Sequence, residues 1–112
     1  MDELIPGFDE LEAFLPKSTE TPYVLHLYIT GASPNSTRAV KNVKEICELH
    51  LKNRYELIII DIYQQPLMAE KEQIIAAPTL VKKFPYPLRR LVGDMSDKKR
   101  VLSGLGLNPN DY

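Results

Sequence analysis

An α/β fold of βαβαββα order is what this sequence predicts, and three observations carry it. Two β-rich apolar runs, at residues 23–29 and 55–62, flank a helix-length amphipathic stretch. A strand–helix–strand unit of that length closes with its strands parallel. Downstream, Pro78 stands before one further run and Pro85-Tyr86-Pro87 forms a corner before another. Proline has no N–H to give a sheet ladder, so Pro78 belongs at the first residue of its strand, where a cis peptide bond fits.

The elements follow in order. Phe8, Leu11, Phe14 and Leu15 fall on one helical face before Pro16 ends the run, so residues 1–20 read as an acidic N-terminal extension, either a short docking helix or a frayed end, since isolated helices this short are marginal. Residues 23–29 suit a central strand covered on both faces, with His26 inside it as a hydrogen-bonded core histidine. Ser33 is the expected N-cap and Pro34 the first helical residue of a helix over 34–51. On that helix Ala39, Val43, Ile46, Cys47 and His50 form the apolar stripe. Residues 55–62 form the clearest strand. A shorter helix is expected from Pro66 to Ile75, with Leu67, Met68, Ile74 and Ile75 in apolar contact and Glu70 and Glu72 in water. Strands over 79–84 and 88–92 surround the proline corner. A last helix from an N-cap at Ser96 to Leu105 has weak support, because Lys98, Lys99 and Arg100 oppose its dipole and Gly104 lies inside it. The organisation expected is thus the extension over 1–20, one domain over 21–107 and a loose tail over 108–112.

Composition narrows the class. The 112 residues suffice for a single core, and 44% hydrophobic with 26% charged residues is ordinary for a globular protein. No apolar run approaches the roughly 20 residues that span a bilayer, and the acidic N-terminus is no secretory leader. The lone Cys47 fits a reducing compartment, so a cytoplasmic protein without membrane contact is expected. The net charge of −1 is unevenly spread. Residues 1–20 hold six acids against Lys17, a net −5, and residues 82–100 hold seven bases against Asp94 and Asp97, a net +5. That basic stretch lacks a nucleic-acid recognition pattern and reads as a solvated or protein-facing surface.

The order of elements outlines a thioredoxin-like domain. In such enzymes the reactive thiolate stands at the start of the first long helix, where the dipole lowers its pKa. Here that position reads Ser33-Pro34-Asn35-Ser36, similar to the Cys-Pro-x-Ser of some thiol transferases with serine for cysteine. A hydroxyl cannot exchange disulfides, so no enzyme is expected. Cys47, deep in the helix, reads as a small buried hydrophobe. The alternative kept from this pattern is a glutathione-dependent or thiol-linked binding protein or transferase that uses Ser33 and Ser36 to steady a thiolate. There is no phosphate loop, no GxSxG, no HExxH and no paired-cysteine zinc spacing, so neither a cofactor nor a metal is expected.

Tyr23-Val24-Leu25-x-Leu27-Tyr28, Pro34-Asn35-Ser36-x-Arg38-Ala39, Ile60-Asp61-Ile62, Ala77-Pro78-Thr79-Leu80 and the run from Pro87 to Asp94 together closely resemble the KaiB family over residues 22–107. The resemblance implies a non-enzymatic protein that binds a KaiC-type hexameric ATPase and acts on its phosphorylation cycle, in a circadian clock or in related stress signalling. KaiA or a histidine kinase are the further partners it suggests. It also implies a metamorphic chain with a homotetrameric ground-state fold beside a thioredoxin-like monomer that binds KaiC. Matching positions make Lys82, Arg89 and Arg90 the residues for the ATPase and Arg38 the one for a further partner. Gly104 is the candidate fold-switch hinge, on the expectation that φ > 0 is needed there in one of the two folds. The chain departs from the family's usual pattern in residues 1–20, in lacking an acidic C-terminal tail and in Pro85-Tyr86-Pro87, where a run of consecutive prolines is usual.

Overall fold

The computed structural model describes residues 21–111. Its single mixed sheet comprises β1 (Tyr23–Ile29), β2 (Tyr55–Asp61), β3 (Thr79–Phe84) and β4 (Arg89–Val92), in the spatial order β2-β1-β3-β4. β1 runs parallel to β2 and antiparallel to β3, and β3 is antiparallel to β4. The parallel pair is joined through α1 (Pro34–His50), as the strand–helix–strand pattern predicts. The two further helices are α2 (Pro66–Lys71) and α3 (Lys98–Gly104), and a 3-10 turn at Pro109–Asp111 stands where a loose tail was expected.

Successive strand residues point to opposite faces, so the sheet sorts its side chains into two unequal layers. Leu25, Leu27 and Leu80 face α1 and α3, where Ala39, Val43, Ile46, Cys47, Val101, Leu102 and Leu105 complete the main core. Tyr28, Ile60 and Val81 face the other way, against Ala69 of α2 and Ile74 behind it. α1 closes the larger layer because its apolar residues recur at helical spacing, and Ser33 caps its start by accepting a hydrogen bond from the Ser36 N–H.

α2 is shorter than the apolar pattern suggested. Gln73 takes φ 59°, the left-handed conformation that ends a helix, and the Ile74 N–H returns to the Ala69 carbonyl at 2.9 Å. Leu67 and Ile75, expected in apolar contact, lie exposed, while Ala69 and Ile74 reach the sheet. Glu72 is likewise not in open water, since Lys83 Nζ reaches it at 2.7 Å.

α3 is capped by Asp97 rather than Ser96. The Asp97 carboxylate accepts from the Arg100 N–H at 3.2 Å, whereas the Ser96 N–H is spent on Asp94. A carboxylate at the N-cap answers the charge conflict read from the sequence, and the flanking bases are also engaged. Lys98 pairs with Glu45 and Arg100 donates to the Val92 carbonyl, each at 2.5 Å.

Gly104, the last residue of α3, is not in the left-handed region. A Cβ there would lie 2.8 Å from both Leu91 methyl carbons, so the half-buried Leu91 side chain would have to shift to admit one. In this fold the demand on the residue is steric, from the approach of Leu91. β1 and the end of α3 are tied by Tyr23, whose hydroxyl donates to the Leu105 carbonyl at 2.8 Å.

Candidate functional site

The helix start that would hold a thiolate in a redox enzyme is knitted shut by hydroxyls. Ser36 is fully buried, and its Oγ accepts from the Thr30 N–H at 3.0 Å. Thr30 Oγ1 lies 3.2 Å from Ser33 Oγ and 3.3 Å from Ser36 Oγ. These bonds fix the β1–α1 turn and leave Ser36 unable to meet a ligand thiolate, which removes half of the pair on which the glutathione reading depended. Cys47 is buried in the main core, and burial pushes its thiol up to about 12. The Ala77–Pro78 bond is cis, as are Phe84–Pro85 and Tyr86–Pro87.

The four basic residues singled out in the sequence do not share one surface. Arg38 sits in α1 at the end of the sheet where β1 finishes, and its Nε donates to Asp94 Oδ2 at 3.1 Å. Hydrogen bonds from Ser96 and Arg38 hold the Asp94 carboxyl below its ordinary value. The Asn42 side chain donates to the Asp94 carbonyl at 2.9 Å, so this corner ties α1 to the loop after β4. Arg89 and Arg90, adjacent in sequence, point to opposite faces because they are neighbours on a strand. Arg90 lies on the α2 side, 4.0 Å from Glu72 Oε2 and 3.4 Å from the Gln73 carbonyl. Arg89 lies on the α3 side, opposite Lys82 in the β3–β4 ladder.

Lys82 is not the solvated cation that the basic run implied. It is 5% exposed, because it faces the larger layer opposite Leu25. Desolvation, then the neighbouring Arg89, lower its pKa.

Apolar exposure marks the α2 side. Ile75 is 98% exposed and Val92 53%, and they line an open cavity of about 200 Å³ together with Ile74, Thr79 and Arg90. Leu67 and Tyr63 are exposed on the segment that leads into it. The sequence concealed this patch, since isoleucines next to a helix read as core and glutamine is a good helix former, so the left-handed turn at Gln73 had no signal in the sequence. His26 also departs from expectation. The hydrogen bond expected of a core histidine is missing at its buried Nδ1, and burial followed by Lys83 lowers its pKa. No cluster of three metal-ligating side chains exists among the described residues.

A mixed sheet with a parallel βαβ unit, a cis-proline opening β3 and serines in place of the reactive thiol define a thioredoxin-like domain stripped of the thiol pair. Yeast mitochondrial thioredoxin 3 superposes with a TM-score of 0.63 at 11% identity, covering 88% of this chain and 87% of that one, a likeness of fold alone. The N-terminal domain of Synechococcus elongatus SasA gives the same TM-score at 26% identity, over 81% of this chain and 90% of that domain. The family itself is narrower: the KaiB domain model matches residues 26–107, and the chain belongs to the KaiB family. The circadian clock oscillator protein KaiB of Synechococcus elongatus is 46% identical over 90 residues, covering 80% of this chain and 88% of that protein. Its counterpart from Prochlorococcus marinus subsp. pastoris is 49% identical over 85 residues, covering 76% and 79%.

Proposed function

We propose that this protein is a non-enzymatic, cytoplasmic clock-type regulator that binds a KaiC-type hexameric ATPase and modulates its ATPase and phosphorylation cycle. The setting is a circadian oscillator or a related signalling or stress response, with KaiA or a SasA-like histidine kinase as competing partners. The observation that carries the reading is the α2-side surface. Ile75 and Val92 stand in water around a cavity rimmed by the Arg90 guanidinium. Apolar residues flanked by a cation form the usual core and rim of a protein interface. Support also comes from the clock proteins among the relatives and from the buried, proton-retaining Cys47.

The same reading includes the second fold. In it the described monomer is the binding-competent form, and a differently packed homotetramer holds the chain in reserve. α3, seven residues long and seated in the main core by Val101 and Leu102, is the element that this reading repacks.

Retention on an immobilised KaiC homologue tests the proposal. Ile75→Asp and Arg90→Glu are each expected to weaken retention at least tenfold, and Arg38→Glu to leave it unchanged. Wild-type protein that is not retained, or that is retained as well after both α2-side changes, would refute it. A glutathione column run in parallel is expected to retain nothing.

A further inference from the structure

β4 stands at one edge of the sheet, and among the described residues, which leave out the acidic extension over 1–20, no strand pairs with its outer side. The ladder shows which of its groups face outward. The Gly93 N–H donates to the Pro78 carbonyl at 3.0 Å, and inward and outward groups alternate along an antiparallel strand, so Leu91 turns its N–H and C=O to β3. Arg90 and Val92 therefore turn theirs to the open edge. The outward Val92 carbonyl is taken by the Arg100 guanidinium at 2.5 Å. The Arg90 N–H, the Arg90 carbonyl and the Val92 N–H remain, with no hydrogen-bond partner among the described residues. Such a row of groups is the template to which an extended segment adds as a further strand.

The side chains beside this edge define what the segment carries. In an antiparallel addition bonded through Arg90, one segment residue lies opposite Arg90 and exchanges both bonds with it, while the residue two before it accepts from the Val92 N–H. Residues directly opposite share a face. The first therefore stands beside the Arg90 guanidinium, the residue after it beside Arg89, and the residue two before it beside Val92, at the mouth of the cavity lined by Ile74 and Ile75. Arg89 and Arg90 are both exposed, and Glu72 leaves Arg90 accessible, being held by Lys83 at 2.7 Å and standing 4.0 Å from Arg90. Opposite charges across a ladder stabilise it, so the segment is acidic at the two positions that face arginine and apolar at the one that faces the cavity. A second copy of β4 fits worse, because in any register it brings four arginines to one seam.

We infer that β4 accepts an extended partner segment as a further strand of the sheet, antiparallel to it and of the order apolar, any residue, acidic, acidic. The inference rests on the reading under Proposed function for the identity of the partner, whose surface it shares, and adds the form in which that partner is held.

The probe is an end-blocked peptide of threonines with isoleucine, threonine, glutamate and glutamate in that order at its centre. It is titrated into the full chain while backbone amide resonances are followed, and saturable shifts are expected at residues 89–93. Changes confined to the peptide leave the fold of the protein untouched. N-methylation of the first glutamate removes the N–H that the Arg90 carbonyl would accept and is expected to weaken binding at least tenfold, as is replacement of both glutamates by lysine. In the Arg89→Glu chain, a peptide with lysine for the second glutamate is expected to bind more tightly than the parent. No saturable shift at 89–93, or equal affinity for the N-methylated and parent peptides, overturns the inference. Resonances at 89–93 that move with protein concentration in the absence of peptide overturn it as well, by giving the edge to a second copy. Retention on an immobilised KaiC homologue is measured beside this, and saturating peptide is expected to reduce it at least tenfold. Peptide that binds as expected to a protein that the homologue does not retain refutes the partner reading and leaves the edge site standing. Retention that saturating peptide does not diminish overturns the inference and leaves the partner reading standing.

Discussion

Gly104→Ala offers the sharpest test of how α3 is held. Carbon atoms pack best at about 3.5–4.0 Å, and the new methyl would begin 2.8 Å from both Leu91 methyl carbons and 3.1 Å from Leu91 Cγ. Leu91 must therefore move by roughly 1 Å, at the overpacking cost of about 1–3 kcal/mol. Against this, alanine gains up to about 1 kcal/mol over glycine in a helix. The expected net effect is a loss of up to about 2 kcal/mol of unfolding free energy in the wild-type background. With Leu91→Ala the obstacle is gone, and the same Gly104→Ala change should stabilise by a few tenths to about 1 kcal/mol. The two changes should thus couple by about 1–2 kcal/mol, read from urea midpoints with unchanged m-values across the double-mutant cycle. If the free energies add within about 0.3 kcal/mol, Leu91 is not what requires a glycine. The cycle also bears on the proposed fold balance. The family resemblance predicts that Gly104→Ala raises the monomer fraction seen by sedimentation, and a dominant Leu91 clash would instead lower it.

Other perturbations follow from the same geometry. Cys47 should react with thiol reagents only as fast as the protein unfolds. With its pKa raised to about 12 from an ordinary 9, stability due to the neutral thiol is complete below pH 9 and is lost as pH rises towards 12. The slope is at most about 1.4 kcal/mol per pH unit and is absent in Cys47→Ala. His26 has a lowered pKa, so the unfolded chain takes up a proton that the fold refuses. Stability should fall as pH drops below the ordinary histidine value, and His26→Leu, measured by urea unfolding at pH 7 and pH 5, should remove that part of the acid sensitivity. Arg90→Glu sets a carboxylate beside Glu72 and should destabilise, whereas Arg89→Glu gives Lys82 an opposite charge and should stabilise by up to about 1 kcal/mol. Equal thermal shifts for the two variants would contradict their placement on opposite faces. Tyr23→Phe removes the bond to the Leu105 carbonyl and should cost about 1 kcal/mol in the same unfolding assay.

The strands and α1 were legible because burial repeats at a fixed period. Residues 23–29 and 55–61 are β-rich runs, and Ser33-Pro34 announces a helix start that capping geometry alone specifies. The misread positions are those decided by contacts distant in sequence. Lys82 looks solvated beside Lys83, yet the ladder to Leu25 turns it inward. Ile75 looks like core, yet Gln73 ends its helix before a buried face can form. Ser96 and Asp97 are both competent N-caps, and Asp94 decides between them by accepting the Ser96 N–H. The basic residues were legible as a charge run but not as a site, because a strand disperses consecutive side chains that a helix or loop could keep together.

That dispersal bears on function. A sheet containing a parallel pair is ordinarily covered on both faces, because strands of this kind are apolar all round. Here α1 and α3 cover one face, while the six-residue α2 covers the other in part, leaving Ile58 and Val92 in water on either side of it. The chain does not lack apolar residues to extend the cover, since Leu67 and Ile75 are at hand, but both stand exposed, Leu67 within α2 and Ile75 beyond the turn at Gln73. An isolated domain gains nothing from that arrangement, at roughly 25 cal/mol per Å² of apolar surface left in water. The half-covered face therefore holds apolar surface whose free energy a partner can lower, and it is the face that carries Arg90.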